Sequence, residues 1–500
     1  MSGSRQLVRN GFANLTRGLS AGLVAVALPA VLVRALTPDA YSAWALVLQV
    51  AAYVGLLDLG LQVGIGRFIA RETGRGDLAQ RDAFYAAGGA LLFASGLVGL
   101  IATAIFASCL PHLFPKLDTN LVPASRIAIL LIGGSVSISL PGSLYLAAFI
   151  GMERFAIPAI ILGCGRTLQV AAVAVASRYT HQLVPIAAAY AIGNLLMCAA
   201  YWAASRGFLH FLPPRLRAFR MDAARELARY CATLSLWNVS MFLVYGLDTA
   251  IVAEVDFRSV APYSVCSNLM TVLIGLMGSA FNVLISRVSV LEGQGERRQI
   301  GRLLVGASKV GTLSLLAIGA LALLAAGPAL NLWIGRATAE RALPFFWVLL
   351  AANGVRLFLV PYSTVLLGTG EHRWATATTL SEGVSNLVAS VLLGRAMGPM
   401  GVAYGTLIGA AVGVAMALFY TFPRAAGVGC SRREYVVGGL LKPAACMAPC
   451  AAGLGLYLRF PGPISEIAFV AGIAVSALIL VQAPIFRVAR IRKVAELSPP

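Results

Sequence analysis

"GLLDLGLQVGIGRFIARETGRGD", Gly55 to Asp77, begins as an apolar membrane-type helix, carries Asp58 before its exit, and ends in a basic loop. "GLMGSAFNVLISRVSVLEGQGE", Gly275 to Glu296, repeats that layout. The repeat extends well beyond these two stretches. "DAYSAW" enters the first and "APYSVC" the second, with Tyr41 and Tyr263 222 residues apart. Arg67 and Arg287 leave them 220 apart, and Gly74 and Gly293 of "GRGD" and "GQGE" stand 219 apart. The register persists: Pro141 and Pro361 differ by 220, and Arg154 of "GMERF" and Arg373 of "GTGEHRW" by 219, as do Tyr201 and Tyr420. A spacing held over half a chain marks an internal duplication.

Composition says what is duplicated. The chain is 59% hydrophobic and 12% charged, with mean hydropathy +0.83, far from the roughly 45–50% apolar and about 25% charged of soluble domains. An integral membrane protein follows. Segments of about 20 mostly apolar residues predict fourteen spans, at 12–34, 40–64, 83–108, 125–149, 155–177, 184–205, 230–253, 261–285, 304–326, 342–367, 374–394, 401–422, 437–457 and 466–485. Helices one to six and seven to twelve are the two copies. Six is even, so the copies face the same way, a parallel repeat about the membrane normal. The predicted organisation is a lobe over 1–206, a basic linker over 207–229, a second lobe over 230–422, two appended helices over 437–485 and a tail over 486–500. Two such lobes would flank a central cavity and give alternating access by rocking.

The net charge of +19 is explained by topology rather than by nucleic acid, because cytoplasmic loops concentrate Lys and Arg. With the N-terminus inside, 26 of the 39 Lys and Arg fall on the inner side and nine outside. Both termini are therefore expected in the cytoplasm. The N-terminal basic stretch followed by an apolar run resembles a signal peptide, but no small-residue cleavage site is convincing, and it reads as a retained first helix. The linker "RGFLHFLPPRLRAFRMDAARELARY" carries six Arg and is expected to lie along the inner leaflet.

Ionisable residues inside spans are costly and face protein or water-filled cavities. Those here are Arg17, Asp58, Arg166, Asp248, Arg356, Glu382 and Lys442. Arg166, Arg356 and Glu382 lie near the middle of their helices, and Arg166 and Glu382 occupy comparable places in the two copies. The arginines would offer positive potential to an anionic substrate, with a buried structural ion pair as the bland alternative. Glu382 is a coupling or pairing group. Arg17 and Asp58 could pair across adjacent helices, and Asp58 could equally bond to backbone groups where helix two ends. Asp248, near the outer end of helix seven, is placed to reach water, and Lys442 to snorkel to the inner interface. Pro141 and Pro361 predict paired bends useful for gating. Gly405, Gly409 and Gly413 form a small-residue stripe that packing alone explains.

Enzyme signatures are missing. There is no phosphate-binding G-x-x-x-x-G-K-[ST] loop, no G-x-S-x-G and no paired His-Glu motif, so no catalytic residue and no cofactor is expected. The eight cysteines and four histidines fit no disulfide or metal pattern. Transport energy would come from an ion gradient, the membrane potential or substrate consumption.

"LLDLGLQVGIGRFIARETGRGD", "LAAFIGMERF", "GLDTAIVAEV" before "APYSVCSN", and "LNLWIG" resemble the polysaccharide-type flippases of the MATE-like (MOP) superfamily, which serve O-antigen and lipopolysaccharide biosynthesis. The similarity runs over most of the chain, and the order of the motifs carries it. It implies a multi-pass protein of the bacterial inner membrane that moves a polyprenyl-pyrophosphate-linked oligosaccharide from the cytoplasmic to the periplasmic leaflet. Arg17, Arg166 and Arg356 would attract the pyrophosphate or acidic sugars. Implied partners are membrane lipids and a polysaccharide polymerase or glycosyltransferases. Fourteen helices also resemble the lipid II flippase, though of the arginines expected early in that protein's first lobe only Arg17 and Arg34 stand here. A multidrug–cation antiporter shares the fold, but cationic substrates would favour Asp and Glu where two arginines face one glutamate.

Overall fold

A backbone surrounded by lipid has no water to satisfy its amides, so each segment must close its own hydrogen bonds. The chain does this with helices. The structure, a computed structural model, describes residues 22, 25–152, 154–208, 218–460 and 462–482, and these contain no strand. The α-helices run, in order, α1 (Ala25–Ala35), α2 (Pro38–Gly55), α3 (Leu61–Arg75), α4 (Leu78–Leu113), α5 (Val122–Gly151) and α6 (Ala156–Tyr179). They continue with α7 (Leu183–Phe208), α8 (Met221–Tyr245), α9 (Asp248–Val255), α10 (Val260–Gly293), α11 (Arg297–Ile334) and α12 (Arg336–Leu357). The last are α13 (Val360–Gly368), α14 (His372–Met397), α15 (Pro399–Ala415), α16 (Lys442–Cys446), α17 (Ala448–Arg459) and α18 (Pro463–Gln482).

Among the described residues ten helices are long and apolar enough to cross a membrane, or eleven if the bent pair Glu434–Cys446 and Ala448–Tyr457 is one span. The chain is thus an all-α, multi-pass membrane protein. The difference from the fourteen expected spans has identifiable sources. Of the first span, only residue 22 and the short helix α1 lie within the described residues. The eleventh is a 26-residue helix, α14, whose Arg373, Glu382, Asn386 and Arg395 dilute its apolar character. The thirteenth is bent by 44°, and the fourteenth is a shorter apolar helix, Pro463–Ile479.

Several helices depart from the expected continuous rods. Helix two breaks after α2: Leu56–Asp58 form a 3-10 turn, Leu59 and Gly60 take left-handed conformations with φ of 49° and 74°, and α3 restarts at Leu61. Helix seven is interrupted at Gly246 and Leu247, between α8 and α9. Pro361 stands in the first turn of α13, where a missing N–H is harmless, so the chain breaks before it. Pro141 lies inside α5, which continues through it. The two prolines therefore sit differently: Pro361 starts a helix and Pro141 lies within one.

The chain divides into two compact units, one of Met1–Ala280, Gly327–Val355 and Ala375–Met416, the other of Phe281–Ala326, Arg356–Trp374 and Ala417–Pro500. Within the first, α4 packs along α5, and α7 lies against both α5 and α6. A buried core of Ile65, Phe68, Phe84, Leu92, Leu144 and Phe149 also takes in Ala223 and Leu227. The second half of the basic linker is therefore not a free surface segment. Residues 221–229 begin α8, which packs against α3 and α4 through Ala223 and Leu227. In the second unit, Tyr362, Phe422 and Tyr435 stack with ring centroids 5.3 Å apart for Tyr362–Phe422 and Phe422–Tyr435, and α17 pairs with α18 around Cys450, Leu454 and Phe469.

Candidate functional site

The break in helix two explains Asp58. A helix start leaves N–H groups without intrahelical acceptors, and the Asp58 carboxylate accepts from the backbone N–H groups of Gly60 and Gln62. It also accepts from the Ser143 hydroxyl at 3.5 Å. Its partners are thus the backbone groups at the end of helix two. Arg17, the other proposed partner, lies outside the described residues.

Arg166, on α6, is half-buried and held by neutral amides. It donates to Gln169 Oε1 at 2.7 Å and lies 3.5 Å from Asn194 Oδ1 on α7. Gln169 is fixed in turn by donating to the Tyr190 carbonyl at 2.7 Å and to Asn194 Oδ1 at 2.9 Å. Asn194 then donates to Ser135 Oγ on α5 at 3.0 Å. Among the described residues no carboxylate lies within ion-pair reach of Arg166. The structural ion pair considered for it is therefore not formed among the described residues. A guanidinium oriented by amides and lacking a counter-charge is suited to receive an anion.

Arg356 is buried, 7% exposed, in the last turn of α12. The negative end of the helix dipole favours a cation at this position. Its own carbonyl accepts the Leu359 N–H at 3.0 Å, closing the turn that leads to Pro361.

Asp248 corrects the sequence expectation. It does not face water: it is buried, and it opens α9 at the helix N-terminus, where negative charge is favoured. Thr406 at 2.9 Å, Tyr263 at 3.1 Å and Asn386 at 3.3 Å donate to it. Asn386 also donates to the Val244 carbonyl, one of those freed by the break between α8 and α9, at 3.1 Å. Ser390 donates to Asn386 Oδ1 at 3.0 Å. The cluster joins α9, α10, α14 and α15.

Glu382 extends the same face of α14, since 382, 386 and 390 recur at helical spacing. Opposite lies the glycine stripe of α15. A Cβ at Gly413 would stand 2.9 Å from Glu382 Oε2, one at Gly409 2.7 Å from Asn386 Cβ, and one at Gly405 would collide with Ser390. The stripe is small because it seats a polar ladder, which is more than packing two apolar helices. Lys442 is exposed, at the first residue of α16.

A small cavity of about 220 Å³ opens in the first unit between Leu28, Pro29, Tyr41, Trp44, Thr249 and Asn268. Gln49 lines it and donates to the Gly246 carbonyl at 2.7 Å. Among the described residues, none of the predicted charged residues lines this cavity. Among the described residues no three of His, Cys, Asp and Glu are grouped to hold a metal. Gln169, Asn194, Tyr263, Asn386 and Thr406 were not expected from sequence. Only the Glu382, Asn386, Ser390 spacing offered a signal.

No protein-family model matches the sequence, and no curated protein matches it. Solved structures do. The chain is similar to an inward-facing multidrug resistance MATE family transporter of the MOP superfamily, with TM-score 0.66 and 16% identity over 84% of this chain and 98% of that one. It is similar to the lipid II flippase MurJ in an inward closed conformation, with TM-score 0.66 and 12% identity over 98% of this chain and 99% of that one. A MOP superfamily transporter from Pyrococcus furiosus, described as having a binding pocket of reversed polarity, gives TM-score 0.57 and 16% identity over 85% and 96%. At such identities the likeness is one of architecture: the chain has the fold of MOP-superfamily transporters.

Proposed function

We propose that the chain is a transporter, not an enzyme, and that it moves a polyprenyl-pyrophosphate-linked glycan across the bacterial inner membrane by alternating access. The observation that carries this reading is the extent of the fold likeness. The flippase structure is matched over 98% of the chain, so the final helices are included, whereas the multidrug MATE likeness covers 84%. Arg166 supports it chemically, as a cation in a span with no carboxylate in reach among the described residues. In this proposal two parallel six-helix copies form lobes around a cavity, helices thirteen and fourteen are appended, and both termini are cytoplasmic. The matched polar pairings of α6 with α7 (Gln169 against Gly193 and Asn194) and of α14 with α15 (Asn386 against Gly409) support the duplication.

The fold comparison favours a lipid II-type cargo over the O-antigen-type cargo that the motifs resemble. The buried Asp248 and Glu382 favour a second reading, a cation-coupled multidrug antiporter. Reconstituted protein should flip lipid II or a polyprenyl-pyrophosphate oligosaccharide between leaflets. Expulsion of cationic dyes with no movement of either lipid would give the antiporter reading the place.

A further inference from the structure

A second cavity lies within the second unit and shares only Lys442 with the charged groups above. It measures about 1460 Å³ and is walled by the first half of α11, by the loop following α15 and by the π-helical segment Glu434–Leu441 that leads into α16. Six cations line it: Arg298, Arg302, Lys309, Arg432, Arg433 and Lys442. Its single carboxylate, Glu434, is already engaged. Ser431 donates to it through N–H at 2.9 Å and Oγ at 3.0 Å, and Ser431 Oγ accepts the Glu434 N–H at 3.1 Å, a reciprocal helix cap. Among the described residues none of the six cations has an ion-pair partner within 4.0 Å.

The walls are built rather than incidental. Gly429 holds φ of 70°, and a Cβ there would collide with the Arg297 carbonyl; a Cβ on Gly301 would collide with Gly429. The loop is thereby seated directly on the start of α11. Further in, Thr312 donates to the Gly439 carbonyl at 3.2 Å, and a Cβ on Gly439 would stand 3.0 Å from Ser308. Phe422, stacked on Tyr362 and Tyr435, closes one side. From Arg298 to Lys309 the helix rises about 16 Å, so the cations descend along an apolar wall that includes Val305 and Val437.

We propose that this cavity binds an anionic lipid headgroup carrying two phosphates. One phosphate carries too little charge to answer six cations, whereas two phosphates, directly joined or linked by a short spacer, suit the charge, with acyl or prenyl chains laid along the apolar wall. Basic pockets between membrane helices take such headgroups. The site stands whether or not the transport reading is correct. The same chemistry has two sources, a diphosphatidylglycerol of the bilayer or a polyprenyl pyrophosphate.

The test is native mass spectrometry of the full-length protein titrated separately with cardiolipin, undecaprenyl pyrophosphate and inorganic pyrophosphate. Wild type is compared with Arg302→Gln/Arg432→Gln and with Arg225→Gln/Arg229→Gln, a control pair of exposed arginines on α8. At least one lipid should bind wild type and control alike, and about thirtyfold more weakly to the Arg302/Arg432 variant. The preferred lipid names the source. Arg302→Lys/Arg432→Lys should restore most of the binding, and Lys442→Gln supplies the weakened variant should the double one fail to fold, as its thermal midpoint would reveal. Equal losses in the control pair, undiminished binding in the cavity variants, or capture of inorganic pyrophosphate with neither lipid would overturn the proposal.

Discussion

Asp248 accepts from Thr406, Tyr263 and Asn386 in a buried site, and its energetics are those of a buried acceptor. Removing it leaves Thr406, Tyr263 and Asn386 to seek other partners, and each stranded polar group costs about 1–3 kcal/mol. Asp248→Ala should therefore lower the thermal midpoint in detergent by an amount equivalent to about 3 kcal/mol. Thr406→Val removes one hydroxyl and should cost about 0.6 kcal/mol, the usual scale of a side-chain hydrogen bond between membrane helices. A fluorescence-detected melt separates the two. A second residue-scale outcome concerns Cys430, in the loop between α15 and the segment that begins at Glu434. Burial, aided by the charge of Glu434, pushes its thiol from 9.0 up to about 11. A raised value keeps the thiol neutral at physiological pH, and thiolate forms only as pH rises toward 11. Alkylation at neutral pH should run about 100-fold slower than at an unshifted thiol and accelerate steadily through alkaline pH. Labelling read by mass spectrometry checks this. The carboxylates were legible in the sequence as expensive residues. Their partners were not, because Thr406 and Asp248 stand 158 residues apart and only the fold joins them.

Breaks, not helices, are what the sequence concealed at the scale of elements. Helical spans were readable because lipid demands long apolar runs. The interruption at Leu56–Gly60 was hidden for the same reason: "LLDLGL" stays mostly apolar through the turn, so hydropathy registers no pause. Its backbone carries a testable cost. Leu59 is the one described non-glycine residue with positive φ, and it is 43% exposed. A left-handed leucine costs roughly 1–2 kcal/mol, so Leu59→Gly should raise the thermal midpoint by the equivalent of about 1 kcal/mol. The glycine stripe of α15 behaves oppositely. Gly409→Leu inserts bulk against the Cα and Cβ of Asn386, and overpacking of this kind costs about 1–3 kcal/mol. It should lower the midpoint in the same melt. Ile408→Leu is the control one position away: Ile408 is 43% exposed, and the change should leave the midpoint where it was. The stripe itself was plain in the sequence; the polar ladder it seats became visible only with α14 laid against it.

For the whole molecule, composition alone decided the class, since no soluble core uses so much apolar surface. The duplication is a reading of the near-constant spacing between matching motifs, and the fold likeness to MOP-superfamily transporters extends over most of the chain. Under the proposed function, the cargo would be received where its anionic group meets positive charge, and Arg166 and Arg356 are the residues proposed for that role. The measurement is flipping of lipid II and of a polyprenyl-pyrophosphate oligosaccharide in proteoliposomes by wild type, Arg166→Ala and Arg356→Ala, each first shown to be folded by its thermal midpoint. The account predicts transport by wild type and a loss of about tenfold or more in Arg166→Ala, the scale of one charge-assisted hydrogen bond, with Arg356→Ala also impaired. Undiminished flipping by both folded variants would contradict it and reduce these arginines to structural parts.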